Sequence, residues 1–125
     1  MSDSFDLDAA ALRADRGDLA VGVEVLARKL QDALPRETTV GRRAKRLLSR
    51  EKVVETIEVR LGVTRYALRA KGGQVEAERA QEVRGVVIRR EPLEFDQWVA
   101  ALTAELRDQA QSSAEARTAL DRLLG

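Results

Sequence analysis

The 125-residue sequence contains no cysteine and no histidine. The absence of cysteine excludes disulfide bonds, thiol nucleophiles and thiolate metal ligands, and it is typical of proteins in a reducing compartment. The absence of histidine excludes His-dependent catalytic triads, His-ligated zinc and imidazole acid–base chemistry. These two absences remove the commonest catalytic groups, and we therefore expect a protein that is not an enzyme.

Aromatic residues and phosphate-binding motifs are also scarce. The sequence has two phenylalanines, one tyrosine and one tryptophan, so the aromatic stacking platforms of single-strand nucleic-acid binders are missing. Neither GxxxxGK nor GxGxxG occurs, which argues against a phosphate-binding loop. Because carboxylates at helix starts complement the helix dipole, we expect neither a metal nor a cofactor at the two acidic groups that fall there: Asp3, Asp6 and Asp8, and Glu91, Glu94 and Asp96.

Long apolar runs are absent as well. No segment approaches the roughly 20 apolar residues of a transmembrane helix, and the acidic start MSDSFDLD does not resemble a secretory signal. We therefore expect a cytoplasmic protein. A length of 125 residues, with 44% hydrophobic and 34% charged residues, predicts a single domain over residues 1–125 that can bury a core.

Helical periodicity appears at both ends of the chain. Apolar residues recur at helical spacing over residues 8–34, as one helix or as two with a break near Gly17, and Pro35 ends the pattern. The helical period returns over residues 94–124, where Trp98 is the predicted core anchor. This region is one kinked helix, or two helices of which the second begins at a capping box formed by Ser112 to Glu115.

The middle of the chain, about residues 38–90, alternates with the period of two that is typical of half-buried strands. Gly72-Gly73 predicts a tight hairpin that places Leu68 opposite Ala77. A fourth strand follows over about residues 83–90, and residues 38–45 are predicted to form a frayed edge strand. The sequence therefore predicts an α+β fold, an antiparallel four- to five-stranded meander with the N- and C-terminal helices packed on one face.

Several details of this sheet carry separate expectations. Val53, Ile57, Val59 and Leu61 are predicted to face the core, which would place Glu55 on the same dry face, near the sheet edge and opposite Ala70. A Gly62-Val63 turn would set Arg60 against Arg65, and this repulsion favours a longer or bulged connection. Within the fourth strand, Gly85 indicates a bulge or a close helix approach. Pro92 is expected to end the sheet.

The segment VGRRAKRLLSREK, residues 40–52, carries six basic side chains and one acid, although the whole chain has a net charge of only +1. Two leucines within it either tuck under the sheet edge or remain exposed. The candidate partner-binding residues are Arg42, Arg43, Lys45, Arg46, Leu47, Leu48 and Arg50, with Lys52 as a further cation.

Three hypotheses remain for this basic segment. The first is that it binds an unidentified acidic protein, so that the chain is a non-catalytic cytoplasmic interaction or adaptor domain. The alternative is an electrostatic binder of nucleic acid or of an anionic surface through residues 42–52, although the near-zero net charge and the lack of interleaved aromatics disfavour nucleic acid. The third is a solvated strand and turn without a partner.

Alanines on the C-terminal helical region suggest a further association. Small side chains allow close helix approach, so this region is a candidate homodimer contact. The alanines concerned are Ala100, Ala101, Ala104, Ala116 and Ala119.

Overall fold

The computed structural model of the protein describes residues 19–125. Three helices and five strands follow in the order α1 (residues 19–33), β1 (Thr38–Ala44), β2 (Lys52–Leu61), β3 (Thr64–Lys71), β4 (Gln74–Val83), β5 (Val86–Leu93), α2 (Phe95–Ala110) and α3 (Ala114–Leu124). The strands form one antiparallel sheet in the order β1-β2-β3-β4-β5. The predicted α+β meander is confirmed. The expected helix break at Gly17 and the acidic group Asp3, Asp6 and Asp8 lie outside the described residues.

The hydrophobic core lies between one face of the sheet and the helices. Alternate residues of β2 and β3, such as Ile57 and Leu68, are buried in one cluster with helical residues such as Leu30 and Leu106. Trp98 is fully buried and packs edge-on against Tyr66, with 6.1 Å between the ring centroids. Trp98 is therefore the core anchor that its position in the sequence predicts.

Two tight turns set the register of the central hairpins. Gly72 and Gly73 both have positive φ, at 62° and 78°, which favours glycine and matches a two-residue hairpin turn. The predicted pairing of Leu68 with Ala77 is confirmed, and in the same register Arg69 lies opposite Glu76. Alternation on both strands and a turn of defined length were together sufficient to fix this register.

The preceding hairpin does not have the longer connection that repulsion between Arg60 and Arg65 was expected to favour. Gly62-Val63 forms a two-residue turn, and Arg60 lies directly opposite Arg65, so the expectation of a longer or bulged connection is wrong. Glu82 of β4 lies within 3.2 Å of Arg60 and 3.5 Å of Arg65. This carboxylate of β4, together with Glu58 of β2 at 3.0 Å from Arg60, compensates the repulsion between the two arginines.

A β-bulge changes which residues of β2 face the core. Gly41 pairs with Thr56, whereas Arg42 pairs with Val54, so Glu55 has no partner on β1 in this register. Val54 is buried and Val53 only partly so, which corrects the prediction that Val53 faces the core.

The fourth predicted strand, residues 83–90, corresponds to β5, which begins later, at Val86, and ends later, at Leu93. Val83 belongs to β4, and Gly85 lies in the β4–β5 turn with a φ of 81°, so it is not a bulge residue. The bulge occurs at Ile88, because Gln81 pairs with Arg89 and Glu82 with Val87. Pro92 lies inside β5, which continues to Leu93; an edge strand tolerates proline because one side of its backbone has no ladder to complete.

The C-terminal region consists of two helices. Trp98 of α2 donates from Nε1 to the carbonyl of Glu78 at 3.1 Å, and Glu78 lies opposite Pro92, which has no N–H to donate. The second helix begins one residue later than the predicted capping box, because Ser113 is the N-cap and accepts a hydrogen bond from the N–H of Ala116.

Candidate interaction surface

The loop between β1 and β2 forms a hydrogen-bonded tip, which we call the β1–β2 tip (residues 45–51). The N–H of Lys45 donates to the carbonyl of Glu51 at 2.9 Å, and the N–H of Ser49 donates to the carbonyl of Arg46 at 3.0 Å. The Oγ of Ser49 also accepts from the N–H of Glu51 at 3.1 Å. These bonds give the tip a defined backbone at the end of the first hairpin.

Two adjacent leucines occupy this tip and project into solvent. Leu47 is 95% exposed and Leu48 is 96% exposed, so of the two alternatives left open by the sequence the exposed arrangement is the one found. Leu48 also has a φ of 66°, in the left-handed region that residues other than glycine, asparagine and aspartate rarely adopt. The fold therefore gains no core packing from either side chain and holds one of them in an unfavourable backbone conformation.

The structure separates the first two cations of the basic segment. Arg42 and Arg43 are neighbours in a strand, and successive side chains of a strand point to opposite faces. Arg42 Nη1 lies 3.2 Å from Glu24 Oε2 on α1, whereas Arg43 Nε lies 3.9 Å from Glu55 Oε2. Both guanidinium groups therefore have carboxylates of their own chain as partners, and they do not share a surface.

The remaining cations surround the two leucines more directly. Lys45 lies 3.7 Å from Glu51 in an ion pair whose two side chains are both exposed, an arrangement that contributes little to stability. Within residues 19–125, none of the other three basic side chains forms an ion pair. These three are Arg46, Arg50 and Lys52.

The bulge in β2 explains why Glu55 does not lie on the core face of the sheet. The sequence pattern placed it on the dry face opposite Ala70, whereas its carboxylate lies beside Arg43 and remains about one-third exposed, with a side-chain exposure of 34%. It is a partly solvated ion-pair partner and not a buried acid. Of the groups of acidic side chains in residues 19–125, none has the arrangement of a metal site, and this includes Glu91, Glu94 and Asp96.

A polar cluster between the sheet and α2 was not anticipated from the sequence. The hydroxyl of Tyr66 donates to Glu105 Oε1 at 2.7 Å, and Arg79 pairs with Glu91 at 2.7 Å. Burial, together with the hydrogen bond to Glu105, raises the pKa of Tyr66 well above its ordinary value of 10.0. The Arg79 guanidinium lowers the pKa of Glu91. The missed signal was that Arg79 is two residues beyond the inward-facing Ala77 and so shares its face.

The alanines proposed for a helical dimer do not form one surface. Ala116 and Ala119 are buried in the core of the chain itself, and Ala101 packs against that core. Ala100 and Ala104 are exposed. The dimer remains a prediction, and two of its five proposed contact residues are free on the surface while the other three contribute to packing within the chain.

A scan against models of protein families, a search of curated proteins and a search of solved structures each returned no match for this chain. None of the helices in the part of the chain that the structure describes is long and apolar enough to cross a membrane. The function must therefore be argued from the geometry of the chain itself.

Proposed function

We propose that the protein is a non-catalytic interaction domain that binds an acidic protein partner through the β1–β2 tip. The observation that carries this proposal is the placement of Leu47 and Leu48, which are almost wholly exposed on a hydrogen-bonded loop. Burying each leucine against a partner stabilises a complex by about 1.5–3 kcal/mol. An apolar centre with a charged rim is the usual composition of a protein–protein contact.

The charge around the tip favours a partner that is acidic. Arg46, Arg50 and Lys52 form no ion pairs within residues 19–125, so carboxylates of a partner would find uncompensated cations beside the apolar contact. Such rim charges act mainly on the association rate and on specificity, and the apolar contact supplies more of the affinity.

The small number of unpaired cations around the tip disfavours nucleic acid as the ligand. Arg42 and Arg43 are already paired with Glu24 and Glu55, so few free cations are left to neutralise phosphates. A nucleic-acid complex made by about three cations would have a shallow salt dependence and weak affinity. An anionic membrane surface would also accept the leucines, and it is therefore tested in the same experiment.

The experiment compares paired substitutions in affinity capture from lysate, followed by purified binding to each captured protein. Leu47→Ser/Leu48→Ser removes the apolar contact, and Arg46→Glu/Arg50→Glu reverses the rim charge. Val21→Ser/Val25→Ser is the apolar control, because these valines are exposed on α1. Lys29→Glu/Arg107→Glu is the charge control, because both cations are exposed on helices.

The proposal requires one defined acidic protein whose affinity falls at least about tenfold in both tip variants and is unchanged in both controls. Trp98 fluorescence establishes that each variant is folded. Binding to RNA, DNA or vesicles containing phosphatidylserine, with loss in the tip variants and no protein partner, would replace the proposal with the polyanion alternative. Equal capture by tip variants and wild type would remove the tip from the binding surface.

A further inference from the structure

β5 is an edge strand with an open side. It is last in the sheet order and pairs with β4 alone. The backbone N–H and C=O groups on its other side meet no strand of residues 19–125. Such a row of unpaired groups is a template for an added strand from another chain.

The side chains near the start of β5 are apolar and exposed. Val86 is 60% exposed and Ile88 is 62% exposed, and Val83, opposite Val86, is exposed as well. β-branched residues at this exposure contribute no core packing, although they are well suited to pair with the side chains of an adjacent strand.

The same segment carries basic side chains without internal partners. Arg84, Arg89 and Arg90 are exposed, and none forms an ion pair with a carboxylate of the described residues. Glu91, the acid of this strand, lies 2.7 Å from Arg79 of β4. The open edge is therefore locally basic.

We propose that β5 binds an extended acidic segment of a partner protein by strand addition, with apolar residues of that segment against Val86 and Ile88. Charge selects this occupant over a second copy of the chain, because pairing two β5 edges would bring two sets of uncompensated arginines together. Basic residues, proline and bulges also protect edges from chance pairing. That role explains Arg89, Arg90 and Pro92, but it does not explain two exposed β-branched residues.

This edge is separate from the β1–β2 tip. The tip belongs to the opposite edge of the sheet, and in an antiparallel meander it lies at the end where β4 begins, whereas Val86 lies where β4 ends. The inference thus goes beyond the proposed function, and either site can fail without the other. Two contacts on one partner would also raise affinity through linkage.

The test uses a short, capped peptide of alternating glutamate and valine as the probe, with lysine replacing glutamate in a second peptide. A third and a fourth peptide carry N-methyl groups on alternate amides, each in one of the two possible registers, which removes backbone donors while the side chains are kept. Binding is followed by amide chemical-shift mapping of the isotope-labelled full chain. The variant is Arg89→Glu/Arg90→Glu, and Lys29→Glu/Lys71→Glu is a matched reversal of two exposed cations elsewhere.

The proposal predicts shifts concentrated on residues 86–91, affinity about tenfold higher for the acidic than for the lysine peptide, and a similar loss in Arg89→Glu/Arg90→Glu but not in the control. N-methylation in one of its two registers must abolish binding, because strand addition depends on the peptide backbone. Absence of binding, binding that survives N-methylation in both registers, shifts confined to residues 45–51, or self-association through β5 would each overturn it.

Discussion

The carboxylate of Glu24 on α1 accepts a hydrogen bond from the backbone N–H of Val54 at 2.8 Å. Val54 is the residue that the bulge turns toward the core, and the other oxygen of Glu24 lies 3.2 Å from Arg42 on the adjacent strand. One helical side chain thus ties together both strands at the base of the β1–β2 tip.

Glu24→Ala is expected to lower the free energy of unfolding by about 1–2 kcal/mol, because it leaves the N–H of Val54 without its acceptor. Denaturant unfolding followed by Trp98 fluorescence measures the change. The matched control is Glu51→Ala, which removes an acid from an exposed ion pair with Lys45 and is expected to cost less than about 0.5 kcal/mol. Equal losses in the two variants would show that the contact with Val54 does not stabilise the fold.

The same contact predicts a dependence of stability on pH. Partial burial alone would raise the pKa of Glu24, but the hydrogen bond from Val54 and the attraction of Arg42 outweigh it, so that the pKa lies below its ordinary value of 4.5. A lowered pKa in the folded state gives stability that is fully present above 4.5 and is lost as the pH falls through the folded-state pKa. The difference in unfolding free energy between wild type and Glu24→Gln should therefore shrink below pH 4.5. A difference that stays constant into strongly acidic solution would contradict this assignment.

Tyr66 gives a second titration that can be followed directly, because it is the one tyrosine in the sequence. Its pKa is raised by burial and by the hydrogen bond to Glu105, so the phenol should remain protonated well above pH 10. A raised pKa gives stability that is present below 10 and is lost as the pH rises through the folded-state value. Tyrosinate absorbance should consequently appear together with unfolding, as reported by Trp98 fluorescence. Ionisation near pH 10 in a folded chain would contradict the buried hydrogen bond.

Gly41 and Thr56 form a cross-strand pair at the bulge. A Cβ at position 41 would collide with the Oγ1 of Thr56, whereas its distance from the Cβ of Thr56 would be an ordinary 3.7 Å. Gly41→Ala is therefore expected to lower the unfolding free energy by about 1–2 kcal/mol, since χ1 of threonine is stiff. Adding Thr56→Ala should recover most of this loss in a double-mutant cycle. Additive losses would mean that the backbone at position 41, and not the side chain of Thr56, requires glycine.

The sequence predicted the hairpins well because their information is local. Alternation on both strands and Gly72-Gly73 leave a single register that buries Leu68. The bulge was not predictable in this way, because Val53 and Val54 suit the core equally and Glu24, which accepts the hydrogen bond from the N–H of Val54, is 30 residues distant. The register of β5 likewise depends on the bulge at Ile88.

The candidate site was predictable only in part. Exposure of Leu47 and Leu48 depends on whether other elements of the fold cover the tip, and no local pattern reports that. The separation of Arg42 from Arg43, by contrast, follows from strand alternation and could have been read from the sequence. Their pairing with Glu24 and Glu55 required the structure, because it joins α1 to β1 and the bulge residue to its neighbour.

A substitution at Leu48 can distinguish an effect on stability from an effect on binding. At a φ of 66° glycine relieves the steric penalty of the leucine side chain, although it increases the entropy of the unfolded chain. These effects are of similar size, so Leu48→Gly should change the unfolding free energy by no more than about 1 kcal/mol in either direction. Leu30→Ala, at a fully buried position, should cost about 2–5 kcal/mol under the same conditions.

If the tip binds a partner, Leu48→Gly must weaken that binding while leaving the fold intact, because it removes an exposed side chain that no residue of the core contacts. Denaturant unfolding and affinity for the captured protein, measured on the same preparation, distinguish an effect on stability from an effect on binding. A loss of stability comparable to that of Leu30→Ala would show that Leu48 stabilises the fold. A stable variant with unchanged affinity would instead show that the exposed leucine is not part of the contact.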